Sequence, residues 1–361
     1  MNASVPLARR RNTLSSSLGL GEKLFASSDE RRFVREIEEG LDVVEEGLLV
    51  EMSFADDMAD VTSRYLLEAG GKRVRPLLTL LSAQLGGGND DRVYSAAKAI
   101  EITHLASLYH DDVMDESQMR RGVPSAQAVW GNSVAILTGD LLFARASKLV
   151  ASLGERVIQL QADTFERLCL GQLHETIGPR EGEDVIAHYL QVLADKTGSL
   201  ISAAAEIGVI VAGAPEEYRI PVVTFGEKIG VAFQLIDDII DLAGDGSETG
   251  KVPGTDLRAG VSTLPLLYLR ELAETDADAA ALLARIERDV TAISEGEMTE
   301  ADDADLTAAI AELRAHEVTA RTLAEAHRWA REAVAALAPL PAGPVKKSLT
   351  RFADSVVERS N

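Results

Sequence analysis

Residues 33–48 read FVREIEEGLDVVEEGL, and in them Phe33, Ile37, Leu41, Val44 and Leu48 follow one another at steps of four, four, three and four. The step of three would move Val44 to the opposite face of a strand, but all five residues stay on one side of a 3.6-residue turn. The stretch therefore predicts an amphipathic helix. Similar spacing continues from about Asp29 onward, and no region sustains the alternation of a half-buried strand. The fold class is expected to be all-α. Breaks at residues 70–71, 86–89, 122–124, 213–215, 244–253 and 339–344, each carrying Gly or Pro, are read as loops between helices. The Ala-, Glu- and Arg-rich stretch between Glu271 and Ala338 is read as peripheral helices with solvated faces.

The chain has 361 residues, 46% of them apolar, and a mean hydropathy near zero. That is enough for a sizeable core. No stretch approaches eighteen consecutive apolar residues, so no membrane span is expected. The net charge of -22 argues against nucleic acid as a partner, because phosphate backbones need a basic surface. It also makes any local cluster of cations worth explaining. Cys169 is the single cysteine, which rules out an internal disulfide or a multi-cysteine zinc site and fits a reducing, cytoplasmic compartment. Residues 1–28 hold Arg9, Arg10, Arg11 and the run Ser15, Ser16, Ser17, with no acid before Glu22. They are expected to form a disordered tail with only a partial likeness to a transit peptide. Residues 29–361 are expected to form a single domain.

Two acidic runs carry the chemistry. Asp111, Asp112 and Asp115 form DDVMD, and Asp237, Asp238 and Asp241 form DDIID. On a helix the first and third carboxylates lie one turn apart on one face, with the second beside them. Each run follows an apolar segment, residues 105–109 and 231–236, which places it near a helix end. Like charges so close need compensation, and an oxygen-only ligand set with no cysteine or paired histidine favours Mg²⁺. A third run, Asp56, Asp57 and Asp60, has no basic cluster behind it and is read as a solvated helix face.

Cations accompany the first run. Arg120 and Arg121 follow Asp115, and GGKRVRP brings Lys72, Arg73 and Arg75 just past two glycines that end a helix. Guanidinium suits a diphosphate because its planar donors can pair bidentately with phosphate oxygens. The bland alternatives are an ion pair with Asp115 or Glu116 for the tandem arginines and a surface loop for GGKRVRP. Lys196, Thr197, Gln234 and Lys251 are weak signals taken singly. His104, seven residues before Asp111, falls on the same helical face. By itself it reads equally as a core histidine.

Taken together, these segments resemble the trans-prenyl diphosphate synthases, most of all the long-chain bacterial members. GGKRVRP (70–76), THLASLYHDDVMDESQMRRG (103–122), DKTGSL (195–200), FQLIDDIIDLAGD (233–245) and GKVPGTDL (250–257) occur in that family's order, and KKSLTRFADSVVER (346–359) is similar to its C-terminus. The resemblance implies a large all-α barrel of helices around a deep cavity, of the isoprenoid synthase type, in a homodimer. It implies that Asp111, Asp112 and Asp115 hold Mg²⁺ bound to an allylic diphosphate. Asp237, Asp238 and Asp241 would hold the rest of the Mg²⁺, three ions in all. Arg120, Lys196, Thr197, Gln234 and Lys251 would bind the allylic diphosphate, and Lys72, Arg75, His104 and Arg121 the diphosphate of isopentenyl diphosphate. Arg73 receives no role. One position departs from the pattern: Val261 stands where relatives often carry a lysine, which puts one diphosphate contact in doubt.

The reaction so implied is a condensation of isopentenyl diphosphate with an allylic partner such as farnesyl or geranylgeranyl diphosphate, giving a trans-polyprenyl diphosphate. Ala106 and Ser107 lie about one helical turn, roughly 5.4 Å, below the carboxylates, where short-chain members often carry an aromatic. Two small residues there predict a product beyond about twenty carbons, and Leu141, Leu142 and Phe143 are the alternative wall. The competing readings are a short-chain synthase, a class I terpene cyclase and a noncatalytic partner subunit. A cyclase needs no second diphosphate site, and a silent subunit should have lost motif residues.

Overall fold

The computed structural model of the chain describes residues 27–243, 253–296 and 299–359. Its helices are α1 (Ser28–Glu51), α2 (Asp57–Glu68), α3 (Val74–Ala83), α4 (Asp91–Met114), α5 (Ala126–Trp130), α6 (Asn132–Ala151), α7 (Glu155–Ile177), α8 (Val185–Leu193), α9 (Ser199–Val211), α10 (Arg219–Ala243), α11 (Thr255–Arg258), α12 (Leu264–Ala273), α13 (Ala277–Glu295), α14 (Glu300–Ala315), α15 (Glu317–Ala336) and α16 (Pro344–Glu358). The all-α class holds. The tail before residue 27 and Lys251, with most of its loop, lie outside the described residues.

The opening helix shows why these residues choose helix. Ser27 caps α1 by accepting from the Glu30 amide, and Glu30 reaches back to the Ser27 amide, so two orphan donors are satisfied reciprocally. The stripe read from the sequence then turns inward: Phe33, Ile37, Val44 and Leu48 are buried. The third acidic run is a helix start. Asp56 accepts from the Ala59 amide at 2.9 Å and Asp60 from the Phe54 amide at 3.0 Å, with Asp57 and Asp60 in the first turn of α2. Negative charge there is favoured by the helix dipole.

The chain groups into two compact units. The first takes residues up to Glu166, Leu200–Gly226 and Ala336–Phe352. In it α4 packs along α6 and also against α1 and α3. Tyr109 of α4 is fully buried, donates its hydroxyl to the Thr62 carbonyl and accepts from the Leu66 amide, which ties α4 to α2. Where α9 crosses α3, Gly208 is required: a Cβ there would come 2.3 Å from the Thr79 carbonyl oxygen.

The second unit takes Arg167–Ser199, Glu227–Ala335 and Ala353–Asn361. Here α12, α13 and α14 pack in succession, and α8 rests on α12. Arg285 and Arg288 both pair with Asp305 on the solvated side of this group. Surface pairs of that kind add little stability.

Two local features were not expected. Residues 122–124, read as a loop, belong to a small hairpin of β1 (Met119–Arg120) and β2 (Val123–Pro124), paired antiparallel. Arg121 and Gly122 turn it with φ of 54° and 78°, the doubly left-handed I′ geometry that matches strand twist. The second is a π-turn at Ala194–Gly198, inserted between α8 and α9.

Candidate active site

Both acidic runs stand at the carboxyl ends of long helices. Asp111 and Asp112 occupy the last turn of α4 with Asp115 as its C-cap, and Asp237, Asp238 and Asp241 fall in the last two turns of α10. The helix dipole is negative there, so carboxylates are doubly disfavoured and a cation is called for.

In the first unit, Asp112 is fully buried. Its Oδ1 accepts from Arg120 Nε at 2.6 Å, while Oδ2 is buried with no hydrogen-bond partner. Burial raises its carboxyl above the usual range in spite of Arg120, and Asp115 adds to the rise. The hairpin delivers both arginines. Arg120 sits in β1, and the left-handed Arg121 turns toward α2, donating to the Leu66 carbonyl at 2.8 Å and to that of Gly70. Burial depresses Arg121 to about 10, with Glu101 opposing the change and Arg73, Arg75 and Arg120 adding to it. Arg75 opens α3; its Nε is buried without a hydrogen-bond partner and burial lowers its pKa, with Glu101 as counter-charge. Lys72 is exposed on the preceding loop. His104 is held neutral, first by burial and then by Arg75, Arg121, Arg73 and Arg120. Of the set read from the sequence, Arg75, His104 and Arg121 thus belong to one crowded cationic region whose buried acid is Glu101, 2% exposed. Sequence reading passed over Glu101 because a lone acid inside an apolar helix has no signature of its own.

In the second unit, Asp238 is 3% exposed and accepts from the Tyr189 hydroxyl. Burial, Asp256 and Asp237 push its carboxyl up to about 8 against the pull of Tyr189 and Gln234. Asp237 meets the Arg359 guanidinium at 3.2 Å. Asp241 has structural work: its Oδ2 accepts the Asp256 amide at 3.0 Å and its carbonyl the Gly254 amide, seating the start of α11. Thr197 donates to Gln234 at 3.4 Å, which brings that pair together, whereas Lys196 is paired with Glu175. The π-turn carrying Lys196 and Thr197 is gripped from two sides. A Cβ on Gly171 would come 2.9 Å from the Asp195 Cβ, and one on Gly230 would come 2.6 Å from the Gly198 Cα. Asp195 itself is clamped by Arg167 at 2.5 Å and Gln191 at 2.9 Å. Val261 is exposed.

The donor set fits a hard divalent cation. Asp112 presents an orphaned buried oxygen, and the Asp238 carboxyl is raised by burial and by Asp256 and Asp237 beside it. Among the described residues no three acid, histidine or cysteine side chains converge as a ready metal cage. Mg²⁺ is commonly held by one or two carboxylates, with water and phosphate filling the remaining positions.

Ala106 is fully buried in an apolar cluster with Leu48, Leu66, Tyr109 and Leu142. Ser107 turns its hydroxyl back to the His104 carbonyl at 2.9 Å, so the wall it adjoins stays apolar. Phe143 packs against the same cluster, with its ring 4.1 Å from that of Phe165 and 5.7 Å from that of His110 between centroids.

Residues 56–304, more than half of the chain, match the family described as Polyprenyl synthetase. The chain belongs to that family. As a member it is a prenyltransferase, a transferase acting on an allylic diphosphate and isopentenyl diphosphate. It is 43% identical to a nonaprenyl diphosphate synthase of Mycobacterium tuberculosis over 348 residues, covering 96% of this chain and 98% of that protein. The fold is shared with a polyprenyl synthase from Caulobacter crescentus CB15 solved with calcium and isoprenyl diphosphate; its TM-score is 0.80 at 33% identity, over 92% of this chain and 98% of the other. A geranylgeranyl pyrophosphate synthase from Corynebacterium glutamicum, also with calcium and isoprenyl diphosphate, gives 0.76 at 39% identity over 91% and 98%. No helix among the described residues of this family member is long and apolar enough to cross a membrane.

Proposed function

We propose that the chain is a Mg²⁺-dependent trans-polyprenyl diphosphate synthase whose product exceeds twenty carbons. The observation that carries the reaction is the pair of carboxylate clusters at the C-terminal ends of α4 and α10, the first backed by Arg120 and by the cationic region around Arg75, His104 and Arg121. Product length is supported by the small, buried Ala106 and by the likeness to a nonaprenyl synthase over nearly the whole chain. The two calcium-bound relatives support a divalent cation, for which Asp111, Asp112, Asp115, Asp237, Asp238 and Asp241 are the ligand candidates. The family match runs through residues of both units, in keeping with one functional domain.

Bound Mg²⁺ would supply charge neutralisation for the departing diphosphate. Arg120, Lys196, Thr197 and Gln234 then hold the allylic diphosphate, as Lys251 does by position. Lys72, Arg75 and Arg121 hold that of isopentenyl diphosphate, with His104 as a neutral hydrogen-bonding partner. The donors of Arg120 and Arg121 are held by Asp112 and by the Leu66 and Gly70 carbonyls, which limits the reorganisation needed as charge develops on the leaving oxygen. Apolar walls beyond the carboxylates keep water from the allylic cation.

Incubation with Mg²⁺, farnesyl diphosphate and labelled isopentenyl diphosphate, followed by sizing of the products, tests this reading. Consumption of isopentenyl diphosphate into prenyl chains longer than twenty carbons is expected. A cyclised product without isopentenyl diphosphate uptake would overturn the reaction, and a dominant chain of twenty carbons or fewer the length. We also assign the chain to a cytoplasmic homodimer. Ile136 and Leu137 on α6, and Leu170, Leu173 and Ile177 on α7, are exposed apolar side chains of the kind that a second copy covers. Sedimentation should give twice the chain mass, and a monomer at micromolar concentration would exclude the dimer.

A further inference from the structure

Arg73 stands between Lys72 and Arg75 in the GGKRVRP loop, and the proposed chemistry gives it no part. Its backbone is left-handed, with φ 48° and ψ 36°, a region that residues with a side chain seldom enter. Yet it is 6% exposed, the most deeply set member of the loop's cations. Its guanidinium points away from any substrate role and into the fold. Nε donates to Glu45 Oε2 at 2.6 Å and Nη2 to Glu45 Oε1 at 3.0 Å. Nη2 also meets the Leu67 carbonyl at 3.1 Å, and Nη1 meets the Gly70 carbonyl and Glu101 Oε1, both at 3.3 Å. A guanidinium has five N–H donors, and these acceptors use all of them.

These contacts reach everything around the loop. Glu45 belongs to α1, Leu67 to the last turn of α2, and Glu101 to α4 one turn before His104. Gly70 accepts from Arg121 as well, and a Cβ on Gly71 would come 2.5 Å from Arg73 Nη1 and 3.1 Å from Arg121 Nη1. The glycine pair therefore lies between two guanidiniums. One belongs to a residue without a donor to spare. The other, Arg121, is assigned to the non-allylic diphosphate.

We propose that Arg73 is a positioning residue for the isopentenyl diphosphate site: it fixes the loop so that Arg75 stands beside Arg121 before substrate binds, and it touches no substrate itself. This rests on the assignment of Lys72, Arg75 and Arg121 to that diphosphate. Lysine cannot replace it, because an ammonium lacks the planar fork that spans Glu45, Glu101 and the two carbonyls.

The test is a double-mutant cycle read as Michaelis constants for each substrate. Arg75→Ala alone should raise KM for isopentenyl diphosphate by about a hundredfold, and Arg73→Lys alone by about tenfold, each leaving KM for farnesyl diphosphate within about twofold. With Arg75→Ala already in place, Arg73→Lys should add less than about twofold, since its effect passes through Arg75. If Arg73→Lys does not fold, Glu45→Gln, at a side chain 46% exposed, removes the bidentate partner and takes its place in the cycle. Fully multiplicative losses would show that Arg73 acts on substrate independently and overturn the proposal, as would an unchanged KM for isopentenyl diphosphate. A parallel rise for both substrates would reduce Arg73 to general stability and overturn it too. If Arg75→Ala itself has no effect, the site assignment fails and the inference falls with it.

Discussion

Asp112→Asn is expected to lower kcat/KM by about a thousandfold or more, equivalent to roughly 4 kcal/mol of transition-state stabilisation, while sparing the metal-free fold. The reasoning starts from the buried, unpartnered Oδ2 of Asp112. An asparagine keeps the shape but replaces an anionic ligand oxygen with a neutral amide, so cation and diphosphate lose their anchor at the end of α4. Stability should follow a different course. The Asp112 carboxyl is raised by burial, which means the fold disfavours its ionised form relative to the unfolded chain at neutral pH. Removing that charge relieves a cost and gives up the pairing with Arg120, and the two changes oppose each other. The melting temperature without metal should therefore move little. The increase expected of the unmutated chain with Mg²⁺ and inorganic diphosphate should be absent from the variant, because a ligand stabilises only the state that binds it. Asp57→Asn, at an exposed acid of the third run, is the matched control and should keep full activity. A loss of less than tenfold at Asp112 would remove it from the metal site.

Ala106→Phe is expected to shift the dominant product from beyond twenty carbons to twenty or fewer. Ala106 lies about one turn of α4 below the carboxylates and is fully buried with Leu66, Tyr109 and Leu142 around it. A benzyl group there must either project across the path of the growing chain or force its neighbours apart, and overpacking of such a core costs about 1–3 kcal/mol. Chromatographic sizing separates these outcomes from a simple loss of enzyme. Projection gives short products at undiminished consumption of isopentenyl diphosphate, whereas strain gives less product of unchanged length and a lower melting temperature. An unaltered length distribution in a folded variant would move the ruler elsewhere. Phe143 is then a weaker alternative than its size suggests, since its ring is already engaged by Phe165 and His110.

How much of this was legible in the sequence depends on the range over which each signal acts. The stripe from Phe33 to Leu48 repeats locally, and it predicted both helix and buried face. The two acidic runs were legible for the same reason, and their place at helix ends followed from the apolar segments ahead of them. The third run shows the limit. Its letters match the other two, but Asp56 and Asp60 bond to nearby backbone amides and begin a helix. Hydrogen bonds across long separations left no trace in the letters: Tyr189 serves Asp238 from 49 residues away, and Arg73 meets both Glu45 and Glu101 across 28. The hairpin was missed because its first turn residue is Arg121, where the usual signal would be Asn or Gly.

The π-turn at Ala194–Gly198 bears on how this segment can change over evolutionary time. Such a turn holds one residue more than the α-helix around it, and that residue is accommodated by close backbone contacts at Gly171 and Gly230. Substitution of an outward side chain would keep the register. Loss of a single residue would restore an ordinary helix with α9 still close to its present register, but it would remove the bulge that presents Lys196 and Thr197. At residues 194–198 the chain is thus held to a fixed count as well as to the identity of Lys196, Thr197 and Gly198, so length is something selection must preserve there in addition to composition.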